Sequence, residues 1–291
     1  MSAPGFARAD RFLGFDAPYD EAVWILGGIP MDDTASFQAG SRFGPPRIRE
    51  ASFGLETYSP LQDADLTGRA LHDAGDLELP IGAVDRSLRA IEEAASAVLE
   101  DGKRLLALGG EHLVTLPLVS AARRFWPDLV VVHWDAHADL RDTYLGERLS
   151  HATVLRRVAE LLGDGRVFQF GIRSGTAEEF QWGRTHTRFF PEAVEAPLRS
   201  VLGELSGRPV YLTIDVDVFD PAFMPGTGTP EPGGITPQEG FRALMALAGQ
   251  TLVGADIVET MPANDPSWRS ALLAAKLVRE LALLVTAGGD A

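Results

Sequence analysis

The chain has 291 residues, 45% hydrophobic and 23% charged, which fits an ordinary globular protein large enough for a substantial core. Its formal charge of −15, from 41 acidic and 26 basic residues, argues against a nucleic-acid partner and suits a small cationic substrate. The absence of cysteine excludes disulfides and thiolate metal sites, no apolar run approaches the roughly 18 residues of a membrane span, and residues 1–11 lack the apolar centre of a secretory signal, so a cytoplasmic protein is expected.

In chain order, residues 23–28 form a first strand candidate, followed by a long irregular stretch, 29–46, of the kind that is usually functional in a compact domain. Pro45 and Pro46 then open a helix. Residues 70–74 read as a strand, and Val84–Glu100 as an amphipathic helix through Val84, Leu88, Ile91, Ala95 and Val98. Strands follow at 105–108 and 129–134 with a helix at 113–125 between them. A helix at 150–161 takes Ser150 as its N-cap. Next come a strand at 167–171, a short helix at 178–183, a weak strand at 187–190 and a helix at 194–205. The chain ends with strands at 210–214 and 252–258, each followed by a helix, at 237–248 and 267–285. This alternation of about eight strands with helices predicts a three-layer α/β/α fold on a mostly parallel sheet, in one domain spanning residues 1–291.

Three polar clusters follow strands. After the Val-rich run 129–132 comes His133-Trp134-Asp135-Ala136-His137-Ala138-Asp139. If the chain stays extended, Asp135, His137 and Asp139 share one side at a strand's carboxyl end, where open α/β sheets bind ligands. His133 is assigned a structural role. Asp215 and Asp217 follow the strand at 210–214, and Gly109-Gly110-Glu111-His112 follows the strand at 105–108. Four converging carboxylates would repel one another, and two divalent cations would balance their charge. Oxygen-rich donors with the two imidazoles His112 and His137 suit Mn²⁺ best, with Zn²⁺, Fe²⁺ or Co²⁺ as alternatives. A paired site of that kind lowers the pKa of a shared water towards about 7. His151 is a candidate proton relay, Glu259 a partner for a planar cation such as guanidinium, and Asp139 a carrier of a proton to a leaving amine. His72 and His186 lie outside the clusters and receive no role.

The same residues carry a family resemblance. Gly109-Gly110-Glu111-His112, Asp135-Ala136-His137-Ala138-Asp139, Ser150-His151 and Asp215-Val216-Asp217-Val218-Phe219-Asp220-Pro221 resemble the ureohydrolase family of arginases and agmatinases, and are most similar to its bacterial agmatinases. The resemblance runs from about Ile29 to the final helix and includes the run Gly40 through Pro45 and the segment 225–234. It implies a dinuclear Mn²⁺ site per subunit on His112, Asp135, His137, Asp139, Asp215 and Asp217. It also implies His151 and Glu259 as substrate-binding and catalytic residues, a homotrimer or homohexamer, and hydrolysis of a guanidino group to urea and an amine. Glu111 stands where many members have Asp; it is not expected to be a ligand. Arginases carry Asn two positions after the central motif and Ser-x-Asn before the shuttle histidine; here Arg141, Glu147 and Leu149 stand there. A substrate without the α-carboxylate is therefore expected, agmatine first, with Glu147 meeting its ammonium. Arg141, unless it is a surface cation paired with Asp142, keeps guanidinobutyrate open as an alternative.

Overall fold

A computed structural model of the chain describes residues 5–7 and 11–287. Part of the segment 1–11, from which a secretory signal was argued absent, therefore lies outside the described residues. Eight parallel strands form the sheet, with a ninth, two-residue strand antiparallel at one edge. In chain order they are β1 (Phe6–Ala7), β2 (Trp24–Ile29), β5 (Leu71–Leu77), β6 (Arg104–Gly109), β7 (Val130–Trp134), β8 (Val167–Ile172), β9 (Arg188–Pro191), β10 (Pro209–Asp215) and β11 (Thr251–Val258). The remaining two, β3 (Tyr58–Ser59) and β4 (Ala64–Asp65), make a separate small ladder. The expected strands are all present; β1, β3 and β4 were not anticipated, because two residues carry no readable alternation.

Spatial order is β1-β5-β2-β6-β11-β10-β7-β8-β9. The chain passes from β6 to β7 and later returns to fill the gap between them with β10 and β11. A sheet whose strand order reverses in this way opens a crevice at the carboxyl ends of its central strands.

The Val-rich strands are explained by burial on both faces. Along β7, Val130, Val132 and Trp134 enter one core, while Val131 enters the other. The first core takes residues from α1 (Gly44–Ser52), α6 (Glu195–Leu205), α7 (Pro237–Ala246) and α8 (Arg269–Thr286). The second takes them from α2 (Val84–Glu100), α3 (Thr115–Phe125) and α4 (Val154–Leu162). The remaining helix, α5 (Ala177–His186), packs Phe180 and Trp182 against the second core. Ser150 caps the turn that leads into α4, its hydroxyl accepting the Ala152 N–H while the Thr153 hydroxyl accepts the Ser150 N–H.

Leu212 lies at the middle of β10 with no exposed surface. Leu212→Ala should lower stability by about 2–5 kcal/mol through lost burial and a residual cavity, read as an earlier urea midpoint with unchanged slope. A shift corresponding to less than about 1 kcal/mol would mean that this core is loosely packed.

Candidate metal centre

The candidate ligands and Glu259 sit at the carboxyl ends of four neighbouring strands. His112 follows β6, Asp135, His137 and Asp139 follow β7, and Asp217 follows Asp215 at the end of β10; Glu259 follows β11. The Gly-Gly pair has a clear steric reason. A Cβ on Gly110 would stand 1.9 Å from the Met31 carbonyl oxygen, so only glycine lets this turn pass the neighbouring loop. The Glu111 N–H then donates to that same Met31 carbonyl at 2.7 Å.

The central motif differs from the period-two expectation in one respect. The extended strand ends at Trp134. Beyond it the loop pairs with the segment after β8, with the Ala138 N–H donating to the Ser174 carbonyl at 3.0 Å. Asp139 then adopts φ 52°, a left-handed conformation, and this turn rather than simple alternation brings its carboxylate into the cluster.

The six side chains converge. Nδ1 of His112 lies 3.1 Å from Asp135 Oδ2, 3.3 Å from Asp139 Oδ2 and 3.4 Å from Asp215 Oδ2. Nδ1 of His137 lies 2.9 Å from Asp217 Oδ2 and 3.5 Å from Asp135 Oδ1. Backbone N–H groups occupy one oxygen of three of the four carboxylates: Asp217 donates to Asp215 Oδ1 at 2.9 Å, Ala136 to Asp217 Oδ1 at 3.0 Å, and His137 to Asp135 Oδ1 at 2.5 Å. The second oxygens of Asp215 and Asp217 are left for the centre, while that of Asp135 also meets His133 Nε2 at 2.8 Å. His112 Nδ1 and Asp217 Oδ2 are buried and make no hydrogen bond at all. Buried donor atoms that face one another without partners are what an O/N metal site requires. Two donor groups, His112–His133–Asp135 and Asp135–His137–Asp217, overlap on Asp135, which suits a carboxylate shared between two cations.

The imidazoles are oriented from behind. His112 Nε2 lies 3.0 Å from the Thr213 hydroxyl, which neighbours Thr115 at 3.3 Å; Thr115 in turn donates to Asp256 at 2.9 Å. A proton on Nε2 leaves the Nδ1 lone pair facing the centre. His133 behaves differently. Gln169 Nε2 donates to the Ala138 carbonyl at 2.8 Å and stands 3.2 Å from His133 Nδ1. This leaves His133 Nε2–H to donate to Asp135 Oδ2 at 2.8 Å, so His133 braces a carboxylate instead of offering a lone pair.

Protonation reports the same crowding. Burial, and then the neighbouring carboxylates, push Asp215 well above the usual carboxylate range and Asp139 up to about 7. Burial also raises Asp217. Burial alone would lower His112 and His137, but the surrounding carboxylates outweigh it and raise both. Burial lifts Asp135 too, yet three histidines hold it well below its ordinary value. Protons therefore partly neutralise the cluster where cations would otherwise do so.

A pocket of about 230 Å³ opens above the cluster, lined among others by Ser36, His137, Asp139, Arg141, His151 and Glu259. Glu259 has φ 63°, and its Oε1 accepts the His112 N–H at 2.8 Å. Burial first, and then nearby Glu111, lift its carboxyl to about 8, so at pH 7 it is mostly protonated until a cation stands beside it. His151 is half-buried at the pocket wall and burial holds it down to about 4, hence neutral at pH 7. Arg141 reaches Glu179 at 3.5 Å and lies 4.9 Å over the Tyr144 ring. Asp142 pairs instead with Arg148 and Arg157, so the sequence alternative of an Arg141–Asp142 surface pair does not hold. Glu147 lines a wider adjoining cleft of about 960 Å³ and not this pocket. The irregular stretch 29–46 supplies Ser36 to this pocket, a residue only the structure singles out; Thr229 belongs to the family-like segment 225–234, while Tyr144, Thr176 and Glu179 carried no sequence signal.

The arginase family model matches residues 22–284. The chain belongs to the arginase family. Among its relatives, the agmatinase of Halalkalibacterium halodurans is 49% identical over 94% of this chain and 95% of its own length. The agmatinase of Bacillus subtilis is 48% identical over the same shares. The solved agmatine ureohydrolase of Thermoplasma volcanium superposes with a TM-score of 0.88 at 33% identity, covering 98% of both chains. The chain is an amidinohydrolase that hydrolyses a guanidino group to urea, and its His/Asp groups are metal-binding groups.

Metal binding should therefore expel protons. With Asp139 near 7 and His112, His137, Asp215 and Asp217 all raised, the cation-free cluster holds protons at neutral pH that bound cations displace. Affinity should fall as pH drops below about 7. Titration calorimetry of Mn²⁺ into metal-free protein in two buffers of different ionisation enthalpy measures this; identical heats in both would contradict it.

Proposed function

We propose that the chain hydrolyses agmatine to urea and putrescine with two Mn²⁺ per subunit. The observation that carries the reading is the set of buried, unpartnered donor atoms on His112 and Asp217, inside a ring of four carboxylates directly below a pocket containing Glu259 and His151. His112, Asp135, His137, Asp139, Asp215 and Asp217 would together hold the two cations. When bound, such a pair supplies charge compensation and Lewis acidity towards water and the guanidine.

The chain's own groups account for the remaining steps. Glu259, already desolvated, pairs with the guanidinium and orients its carbon towards the cluster. Asp139 accepts a proton from the attacking water and passes it to the leaving nitrogen. His151, neutral and part-exposed, restores the proton balance with solvent. The relatives named agmatinase support agmatine as the substrate. Arg141 in the pocket wall favours one second reading, a guanidino acid such as guanidinobutyrate. A cytoplasmic homotrimer or homohexamer without a nucleic-acid partner belongs to the same proposal. Among the described residues no helix is long and apolar enough to cross a membrane.

A product assay on Mn²⁺-loaded protein with agmatine, arginine, guanidinobutyrate and formiminoglutamate tests the substrate, urea being scored for the first three and formamide for the last. Agmatine should be turned over fastest; preference for guanidinobutyrate would shift the reading to the second one. His137→Ala should bind one fewer tight cation per subunit by elemental analysis. His151→Ala should keep its metal while kcat falls roughly 10²–10⁴-fold.

A further inference from the structure

Five polar groups run in single file from the pocket wall to a buried carboxylate. Tyr144 Oη stands 3.2 Å from Ser36 Oγ, which stands 3.2 Å from His151 Nε2. On the other side of the ring, His151 Nδ1 lies 3.3 Å from Thr34 Oγ1, which lies 2.8 Å from Glu111 Oε2. The polarity of this file follows from counting hydrogens. Thr34 Oγ1 has one hydrogen and two lone pairs. The His151 backbone N–H donates to Thr34 Oγ1 at 3.0 Å, and the Thr34 backbone N–H donates to Glu111 Oε2 at 2.9 Å. A hydroxyl placed between a peptide donor and a carboxylate acceptor directs its hydrogen to the carboxylate. It therefore turns lone pairs towards His151, and Nδ1 must be the donor. Ser150 Oγ, also 3.3 Å from Nδ1, accepts the Ala152 N–H and stands as a second acceptor for the same proton. Nε2 is left as the bare nitrogen, with Ser36 donating to it and Tyr144 donating to Ser36.

We propose that Glu111, acting through Thr34, is the positioning residue that holds His151 as its Nδ1–H tautomer, with Nε2 unprotonated beside Ser36 at the pocket wall. The inference rests on the reading of His151 as the proton relay. Glu111 is 1% exposed and its Oε1 has no partner, so among the described residues its side-chain hydrogen bonds all go to Thr34. A carboxylate at this place, one residue before His112 yet directed away from the cluster, thus has a task other than ligation. The irregular loop 29–46 gains a task as well, because it carries both Thr34 and Ser36 to opposite nitrogens of one imidazole. A fixed tautomer means that the nitrogen at the pocket wall is always the one able to take up a proton.

The test is ¹⁵N NMR of histidine-labelled, full-length protein loaded with diamagnetic Zn²⁺, with His151 assigned by its loss in His151→Gln. Wild-type protein should show a protonated Nδ1 and a bare Nε2. Thr34→Val, which keeps the shape and removes the hydroxyl, should shift His151 towards the other tautomer. On Mn²⁺ protein it should lower kcat roughly tenfold with KM changed less than about twofold. Thr34→Ser should recover most of the loss. Glu111→Leu, if it folds, should reproduce the shift; if it does not, the Thr34 pair decides alone. A wild-type Nε2–H tautomer overturns the proposal. So does a Thr34→Val protein whose tautomer is unchanged, whether or not kcat falls, since Thr34 would then only brace the loop. Wild-type Mn²⁺ protein that releases no urea from any guanidine would remove the proposed function while leaving the tautomer result standing.

Discussion

Four carboxylates and two imidazoles share a space that water scarcely enters: Asp135 is 0%, Asp217 1%, Asp215 3% and Asp139 7% exposed. Like charges so confined are destabilising unless neutralised. The protein assembles them nonetheless, because a parallel sheet delivers every strand's carboxyl end to one edge. The hydrophobic cores on the two faces of β6, β11, β10 and β7 hold those ends in place regardless of what their last residues prefer. Stability is thus supplied by the strands' apolar interiors, and the site occupies the few positions just beyond them.

Holding six side chains on one point also requires the backbone to leave its ordinary conformations. Asp139 and Glu259 both have left-handed φ, at 52° and 63°. For residues other than glycine this costs roughly 1–3 kcal/mol each, so neighbours must enforce it. The Arg156 N–H donates to the Asp139 carbonyl at 3.1 Å, and the Glu259 N–H donates to the Gly110 carbonyl at 2.8 Å. Asp217 is steadied from outside the cluster. The Arg173 guanidinium donates to the carbonyls of Gly171, Asp217, Val218, Glu231 and Pro232, tying the end of β10 to the glycine-rich loop beyond it. Strain at the ligand loops and bracing around them belong to one design.

The legible part of this architecture was whatever repeats at a fixed period or carries charge at a strand end. Val130–Trp134 declared itself as a doubly buried strand, and Asp215 and Asp217 stood out because carboxylates there need a reason. The positions of the eight parallel strands and the company of the six polar side chains were therefore readable. What was not readable depends on contacts between distant segments. Thr34 and Ser36 look like any loop hydroxyls until the fold sets them beside His151, more than 100 positions away (|i−j| 117 and 115). Gln169 and Thr213 are interior residues of strands, and no pattern marks them as the groups that orient His133 and His112. The turn at Asp139 was unreadable for the same reason: alternation holds only while the chain stays extended, and the left-handed φ of Asp139, just past the bridge between His137 and Ser174, breaks it.

A division follows between the parts that react and the parts that choose. The cluster is built on strand ends backed by two cores, where little can move. The pocket mouth is built on loops, through Ser36, Tyr144, Thr176 and Thr229. Arg141 sits at this boundary, its guanidinium against Glu179 and over Tyr144. Glu179 is itself engaged, accepting the Leu140 N–H at 3.1 Å and the Thr176 N–H at 2.8 Å. The pocket loops and the strand ends are thus anchored in different parts of the fold, so a loop substitution near Arg141 leaves the backbone that holds the cluster in place.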